Sequence, residues 1–354
     1  MNPYASYHAI NSKLHSKNKI FLTREERKKI IGFDTVEDMI IFLKSKEGYK
    51  DIFTGRDNIH RSELEVLLDR YVLGEIKGLR YYFSAEYKKF FDIFLMEYDI
   101  KDIEFILRSI LRGEKIDETR LLLRNGESQI SQLCNKLIGC ESIEQCYKVL
   151  KDTTYGRVLM NIDKEDFIRR EFHIEMKLYI LFFKELMEQS RKLNRQDCKI
   201  AREIIGMKID YMNALWIYRA KKYYKLPPEE VLIYSLPYGY KLTYDKLKEL
   251  VYVSSIPVVK DRIEKCIKAK IFSGNEEDSI LGSRADYYLI NNLKKVKIGQ
   301  NDIGEVLLYI YKLKIEINQL VILTEAIRYH LSKVELNKYL PYRLEIEEGF
   351  TIGD

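Results

Sequence analysis

The sequence of 354 residues predicts an all-α protein built from three similar helical repeats. Three observations support this prediction. Long segments carry apolar residues at alternating steps of three and four, which is the pattern of an α-helix with one buried face. Alternating apolar and polar runs of strand length hardly occur. Related segments recur about 107 to 111 residues apart, which leaves room for three copies of one helical unit.

Three long helices are predicted from the apolar stripes. The first runs from Tyr87 to Leu111 and is followed by Gly113, a residue type that favours helix ends. The second runs from about Ala201 to Tyr224 and stops before the Pro227-Pro228 pair, because proline cannot continue a helix. The third runs from Ile303 to Leu331, which is roughly 30 residues and ~45 Å.

Short helices are predicted ahead of the first two long ones. The segments 31–44 and 138–151 resemble each other at an offset of 107 residues. In each segment an acidic residue and then a Ser or Thr precede an apolar run, which is the pattern of a helix N-cap. A tyrosine ends each short helix, Tyr49 in the first copy and Tyr155 in the second.

Polar residues recur at matching positions on the long helices. Each helix carries an acid followed by a second acid or an amide, and the first two helices also carry an arginine. These residues are Asp99, Asp102 and Arg108 in the first helix, Asp210, Asn213 and Arg219 in the second, and Glu316 and Asn318 in the third. Thr324 stands where the third helix would have its arginine. The offsets, 111 and 105 residues, predict repeats at 1–120, 121–240 and 241–354.

The composition is that of a folded protein, with 46% hydrophobic and 32% charged residues and only 6 prolines. The net charge of +6 is weak evidence for nucleic-acid binding in a chain of this length. No stretch of about 18 uncharged apolar residues occurs, and the N-terminal segment lacks the apolar core of a signal peptide. We therefore expect a cytoplasmic protein with no nucleic-acid partner and no membrane-spanning segment.

Motifs of common catalytic and binding sites are absent from the sequence. It has neither of the glycine-rich nucleotide-binding motifs G-x-x-x-x-G-K-[ST] and G-x-G-x-x-G, and no G-x-S-x-G nucleophile motif. No two of the five histidines have the H-x-x-x-H spacing of a zinc site. On one helix Cys134, Cys140 and Cys146 would point to three different sides. We expect no catalytic residue, cofactor, metal or small-molecule substrate, and no nucleotide hydrolysis by the isolated chain.

Three segments, together with the three-copy pattern, carry a resemblance to a known family. They are Asn2-Pro3-Tyr4-Ala5 with a basic helix after it, the segment DYMNALWIYR from Asp210 to Arg219, and the segment KIEINQL from Lys314 to Leu320. With these features the chain resembles the C subunit of the rotary A/V-type ATPases, whose eukaryotic relative is the d subunit of the V-ATPase. The resemblance covers nearly the whole chain.

The resemblance implies a fold and a role. The fold is a funnel of three similar helical lobes about a pseudo-threefold axis. Its base sits on the cytoplasmic face of the membrane rotor ring, and its mouth receives the central shaft, formed by the D subunit alone or together with the F subunit. The implied protein is a non-catalytic part of the central stalk, present once per complex and peripheral to the membrane. The ion, proton or sodium, is chosen by the ring and not by this chain.

Two interpretations of the recurring polar residues remain open. In the first, they line the funnel or bridge adjacent lobes, with Arg108 and Arg219 supplying charge across the lobes. In the second, they cap loops or face water. Two other functions are alternatives to the role that the resemblance implies, one well supported by the residues and one poorly. A helical scaffold or adaptor of another complex explains the repeats equally well. A hydrolase using Asp99 and Asp102 has no identifiable nucleophile or oxyanion donor.

Overall fold

The structure, a computed structural model, describes residues 3–18, 20–53, 59, 61–123, 128–159, 171–272, 280–296, 298–299 and 302–331. Its regular elements within these residues are all helical, which confirms the all-α prediction. None of the described helices combines the length and the apolar composition that a membrane crossing requires. Asn2 lies outside the described residues, and the first helix begins at Pro3.

Fifteen α-helices are found in the described part of the chain. In chain order they are α1 Pro3–Asn18, α2 Arg24–Ile31, α3 Val36–Lys44, α4 Arg61–Arg80, α5 Ala85–Leu111, α6 Gln129–Ile138, α7 Ile143–Leu150, α8 Thr154–Leu159, α9 Glu171–Ser190, α10 Arg195–Arg219, α11 Pro228–Ile233, α12 Tyr244–Tyr252, α13 Ile256–Ile267, α14 Leu281–Leu293 and α15 Gly304–Arg328. Short 3₁₀ turns lie at Lys50–Phe53 and Glu118–Arg120, and a π turn lies at Ala220–Tyr224.

The chain divides into two compact units. The first contains Met1–Val72 and Lys260–Asp354, and the second contains Leu73–Val259. In the first unit α15 packs against α1, α2, α3 and α14. In the second unit α5 packs against α6, α7 and α9, and α9 also contacts α8 and α10. The predicted repeats at 1–120, 121–240 and 241–354 are defined by similarity between segments, whereas the two units are defined by compactness. The repeats therefore stay a prediction.

The three predicted long helices are α5, α10 and α15. The end of α5 at Leu111 is confirmed, and Gly113 follows with a positive φ of 63°. α10 begins before Ala201, because Asn194 accepts the backbone N–H of Asp197 and caps the helix there. α15 ends at Arg328, earlier than predicted, because His330 takes the left-handed conformation with a φ of 51°.

The N-caps predicted for the short helices are confirmed. Thr35 accepts the backbone N–H of Asp38 at 3.1 Å and begins α3. Ser142 accepts the backbone N–H of Gln145 at 3.3 Å and begins α7. Each bond satisfies a backbone donor that the first turn of a helix leaves without an intrahelical partner.

The predicted directions of the cysteines need a correction. Cys134, Cys140 and Cys146 are buried free thiols, but they do not lie on one helix. α6 ends at Ile138 and α7 begins at Ile143, so Cys140 lies in the connection between the two helices. There it forms a hydrogen bond with Cys146, and burial together with this neighbour raises the pKa of the Cys146 thiol.

Candidate functional site: polar pairs on the long helices

Each long helix buries two polar residues three positions apart, which places both on one face of the helix. These residues, called here the polar pairs, are Asp99 and Asp102 on α5, Asp210 and Asn213 on α10, and Glu316 and Gln319 on α15. Their exposed fractions lie between 0% and 4%. Because a buried polar group without a partner is costly, their hydrogen bonds define what the pairs do.

The pair on α5 binds the chain segment that leads into α6. The carboxylate of Asp102 accepts the backbone N–H groups of Leu122 and Leu123 at 2.8 and 2.9 Å. The carboxylate of Asp99 accepts the hydroxyl hydrogens of Ser128 and Tyr155 at 2.6 and 2.8 Å. Ser128 is the N-cap of α6, and Tyr155 belongs to α8. The pair therefore holds two later elements against α5.

The pair on α10 binds the segment that leads into α12. Asp210 accepts the backbone N–H groups of Lys241 and Leu242 at 2.7 and 2.9 Å. The Asn213 amide donates to the backbone oxygen of Leu236 at 2.9 Å and accepts the N–H of the same residue at 2.8 Å. Both side chains are thus bonded to backbone groups, which fixes the position of the loop between α11 and α12.

The pair on α15 binds the segment that leads into α2 and includes a buried cation. Glu316 accepts the backbone N–H of Leu22 at 3.2 Å, the hydroxyl hydrogen of Tyr49 and the guanidinium group of Arg27. Arg27 also donates to the side-chain oxygen of Gln319 at 2.7 Å and to the backbone oxygen of Leu22 at 2.9 Å. This cluster joins residues that are 267 to 294 positions apart in the sequence.

One arrangement recurs at all three sites. A carboxylate on a long helix accepts backbone N–H groups from the segment just before a short helix, which is α6, α12 or α2. Tyr49 and Tyr155 donate to Glu316 and Asp99. Neither tyrosine ends a short helix as predicted, because α3 ends at Lys44 and α7 at Leu150, and Tyr155 lies in α8. Hydrogen bonds to ionised groups are roughly twice as strong as neutral ones, so each site fixes a loop on a helix. Asp99 and Asp102 bind structural donors and are not arranged as an acid–base pair.

Burial raises the pKa of three of these carboxyls. The pKa of Asp99 rises to about 6, although the hydrogen bonds from Ser128 and Tyr155 act in the opposite direction. The pKa of Asp210 also rises to about 6 through burial, against the effect of the backbone N–H groups of Leu242 and Lys241. Burial raises the pKa of Glu316 as well, and the Arg27 guanidinium opposes this rise.

The predicted equivalence of Asn318 and Asn213 is wrong. Asn318 is exposed, and its amide lies 3.4 Å from the carboxylate of Asp286. Gln319 is the buried partner of Glu316. The physical reason is helix geometry, because residues three apart share a face whereas residues two apart point about 200° from each other. The spacing of Asp99 and Asp102 was the sequence pattern that could have identified Gln319.

The two predicted arginines lie in different surroundings. The guanidinium of Arg108 is 3.9 Å from the carboxylate of Glu104, one turn earlier on α5, and 3.9 Å from Glu175 of α9. Arg219 is exposed at the end of α10. Thr324 is buried, and its hydroxyl donates to the backbone oxygen of Leu320 at 2.8 Å. Among the residues that the structure describes, no group of three metal-ligating side chains comes together.

A sequence profile of the ATP synthase (C/AC39) subunit family matches residues 10–339 of the chain. The match includes all three polar pairs and the two long-helix segments that carry the resemblance. The chain belongs to this family. The predicted resemblance to the C subunit of the A/V-type ATPases is thereby confirmed.

Archaeal relatives of the C/AC39 chain agree with this assignment. The C subunit of the A-type ATP synthase of Methanosphaera stadtmanae is 23% identical over 337 residues, which cover 92% of this chain and 85% of the relative. The C subunit of Methanocaldococcus jannaschii is 25% identical over 281 residues, or 77% and 69% of the two chains. A third, from Archaeoglobus fulgidus, is 26% identical over 258 residues, or 70% of each chain.

Two residues that bond to the polar pairs, Arg27 and Ser128, were not predicted from the sequence. Arg27 lies in an ordinary charged run of α2, and nothing in its spacing marks it as buried. Ser128 was one of many hydroxyl residues in a polar segment. Both were missed because their partners, Glu316 and Asp99, are brought to them only by tertiary packing.

The raised pKa of Asp210 predicts a pH dependence. The folded-state pKa of about 6 lies above the ordinary 3.8, so the folded chain retains a proton that the unfolded chain loses. The protonated Asp210 therefore stabilises the fold fully below about pH 4. This contribution to the free energy of unfolding, roughly 3 kcal/mol, is lost as the pH rises through 6. Urea unfolding of wild type and Asp210→Asn from pH 4 to 7 checks this.

The free energy of unfolding of wild type, minus that of Asp210→Asn, is expected to fall as the pH rises from 4 to 7, because only the wild-type chain has a carboxyl that must lose its buried proton. The exposed acid Asp261 provides the control, because Asp261→Asn removes a carboxylate that is not buried. A constant difference between wild type and Asp210→Asn over this range would contradict the raised pKa.

Proposed function

We propose that this chain is the non-catalytic central-stalk subunit of a rotary A/V-type ATPase or ATP synthase. In this role it is a socket that couples the rotating shaft, made of the D subunit alone or together with the F subunit, to the membrane rotor ring. It is present once per complex, lies on the cytoplasmic face of the membrane, and serves proton or sodium transport. The family and the names of the archaeal relatives support membership in such a complex.

The observation that carries the proposal is the recurrence of the polar pairs. A part that transmits torque must keep its segments fixed relative to one another. Each polar pair joins a long buried helix to the segment that begins a short helix, and five of the six side chains bond directly to backbone or tyrosine donors or acceptors. Closely packed helices with such attachments form a stiff wall.

Three similar lobes about a pseudo-threefold axis would follow from this recurrence. The equivalent attachments on α5, α10 and α15 support three copies of one unit, since each uses the same spacing and the same kind of backbone donor. The funnel and the repeat boundaries are part of this proposal. So are the partner contacts of Asp99, Asp102, Arg108, Asp210, Asn213, Arg219, Glu316 and Asn318.

Loss of the α10 polar pair should loosen the coupling between shaft and ring. In a reconstituted complex, Asp210→Ala with Asn213→Ala is expected to reduce the number of ions transported per ATP hydrolysed, because the loop 236–242 loses its attachment. Each unsatisfied buried group also costs about 1 to 3 kcal/mol of stability. The measurement is therefore ion transport and ATP hydrolysis in parallel, with the melting temperature of the isolated variant.

Arg202→Ala is the matched control, since Arg202 is exposed on the same helix. Wild-type assembly, coupling and folding in the double variant would show that the α10 pair has no role in the socket. A scaffold in another complex is the second candidate. Affinity purification of the native chain separates the two, because only the socket predicts an ATPase head and a membrane ring in one particle.

A further inference from the structure

The second compact unit presents a surface rich in tyrosine. Among the described residues, eleven large apolar or aromatic side chains are strongly exposed, and eight of them lie between residues 223 and 258. The centre of this surface, called here the tyrosine patch, consists of Tyr223, Tyr224, Ile233, Tyr244 and Tyr252, which are 52% to 68% exposed. Exposed apolar surface concentrated in one place indicates a binding surface, whereas scattered exposed residues do not.

Hydrogen bonds join the elements that carry the patch. The ammonium group of Lys221 donates to the backbone oxygen of Val251 at 2.6 Å, which brings the turn with Tyr223 and Tyr224 to the end of α12. The hydroxyl of Tyr252 donates to Glu229 of α11 at 3.0 Å. Ile233 lies one turn after Glu229, so the two share a face of α11. The π turn after α10 and the helix α11 are therefore both bonded to the end of α12.

α12 contributes a stripe to the same surface. Tyr244, Lys248 and Tyr252 are spaced four residues apart and all three are exposed, so they line one face of the helix. The hydrogen bond to Glu229 raises the pKa of Tyr252, and the nearby Tyr244 contributes to that rise. The stripe is thus an alternation of aromatic rings and a cation.

The surroundings of the patch are basic. Exposed basic residues from 219 to 252 are Arg219, Lys222, Lys225, Lys241, Lys246 and Lys248, against the exposed acids Glu229, Asp245 and Glu249. The ammonium group of Lys222 lies 5.0 Å from the ring centre of Tyr223. A surface of this kind attracts a negatively charged partner.

We infer that the tyrosine patch binds anionic phospholipid headgroups. Two properties favour lipid over protein. Tyrosine is enriched in protein interfaces and at the membrane–water boundary alike, but lysine is depleted from protein interfaces and favoured near anionic lipids. Lysine chains also extend along apolar surface while their charge stays in the headgroup layer. The inference depends on the composition of this surface and not on the socket role.

Sedimentation of the purified full chain with lipid vesicles tests the inference. The chain is expected to bind vesicles of phosphatidylglycerol and phosphatidylethanolamine at 0.1 M salt, and to bind phosphatidylcholine vesicles far less. Raising the salt to about 1 M shortens the screening length from ~10 to ~3 Å and should release the chain. Lys222→Ala with Lys248→Ala should weaken binding about thirty-fold, which corresponds to about 2 kcal/mol.

Matched variants come from the opposite end of α10. Tyr87 bonds to Asn194 at the start of that 25-residue helix, ~37 Å from the patch along its axis. The exposed Lys88 and Lys192 lie near that end, so Lys88→Ala with Lys192→Ala should bind vesicles like wild type. Tyr223→Ser with Tyr252→Ser should weaken binding, whereas Tyr81→Ser, at another exposed tyrosine, should not. Circular dichroism of each variant checks that it is folded.

Several results would overturn the inference. These are failure of the wild-type chain to bind anionic vesicles, equal binding to neutral vesicles, or equal effects of the patch and control variants. Protection of Tyr223 and Tyr252 from hydroxyl radicals in a lipid-free complex, without vesicle binding, would assign the patch to a protein partner instead. Because the vesicles contain no rotor ring, failure here would leave the proposed socket role untouched.

Discussion

Replacing Arg27 with Met is expected to lower the free energy of unfolding by about 3 to 5 kcal/mol. The guanidinium of Arg27 and the carboxylate of Glu316 are both buried and bonded to each other. Methionine fills a similar volume but leaves the carboxylate of Glu316 without its cation and the side-chain oxygen of Gln319 without its donor. An uncompensated buried charge is far more costly than the loss of an exposed ion pair.

The control for this prediction is an exposed ion pair in the same compact unit. Lys265 and Asp261 are 2.7 Å apart on α13 with side chains 75% and 56% exposed, so Lys265→Met should change stability by less than about 1 kcal/mol. Denaturant unfolding of both variants, and of Arg27→Met combined with Glu316→Leu, measures the effect. The double replacement should recover part of the loss, because it removes the unpaired charge. Equal small losses for Arg27→Met and Lys265→Met would contradict the buried cluster.

Gly156→Ala is expected to destabilise the second unit by about 3 kcal/mol, the upper part of the usual range for overpacking. A Cβ at this position would lie 2.0 Å from the backbone oxygen of Leu150 and 2.7 Å from the Cα of Lys151. Backbone atoms cannot rotate away as a side chain can, so α7 and α8 must move apart. The neighbouring Tyr155, which donates to Asp99, would move with them.

Gly74→Ala is the matched substitution, because a Cβ at Gly74 in α4 would meet nothing within 4 Å. Alanine is the better helix former, so this change should stabilise the chain by about 0.5 to 1 kcal/mol. Thermal and urea unfolding of the two variants should therefore move in opposite directions. A loss below about 1 kcal/mol for Gly156→Ala would show that α7 and α8 can separate at little cost, contrary to their close packing.

The long helices were predictable because their pattern is local. The apolar stripe from Tyr87 to Leu111 defined α5, and the N-caps Thr35 and Ser142 began α3 and α7 at the predicted residues. The end of α15 and the start of α10 depended on conformations that a local pattern does not specify. The left-handed His330 ended α15 early, and the cap at Asn194 began α10 before its apolar stripe.

The candidate site was predictable in part. The recurrence of Asp99 and Asp102 with Asp210 and Asn213 is visible in the sequence, because the spacing of polar residues on an apolar helix is a one-dimensional pattern. The partners were not visible. Leu122, Leu242 and Leu22 contribute backbone N–H groups, and every residue except proline has one, so no side-chain type marks them.

The sequence by itself determined the helical class, the family and the acid that begins each polar pair, at Asp99, Asp210 and Glu316. It could do so because apolar periodicity, likeness of segments and the spacing of these acids are properties of the chain order. Only the tertiary structure decided which residues are joined across the chain, as Arg27, Tyr49 and Glu316 are, and that Gln319 rather than Asn318 completes the third pair. These contacts depend on which helix faces are buried together, and burial is set by the packing of distant segments.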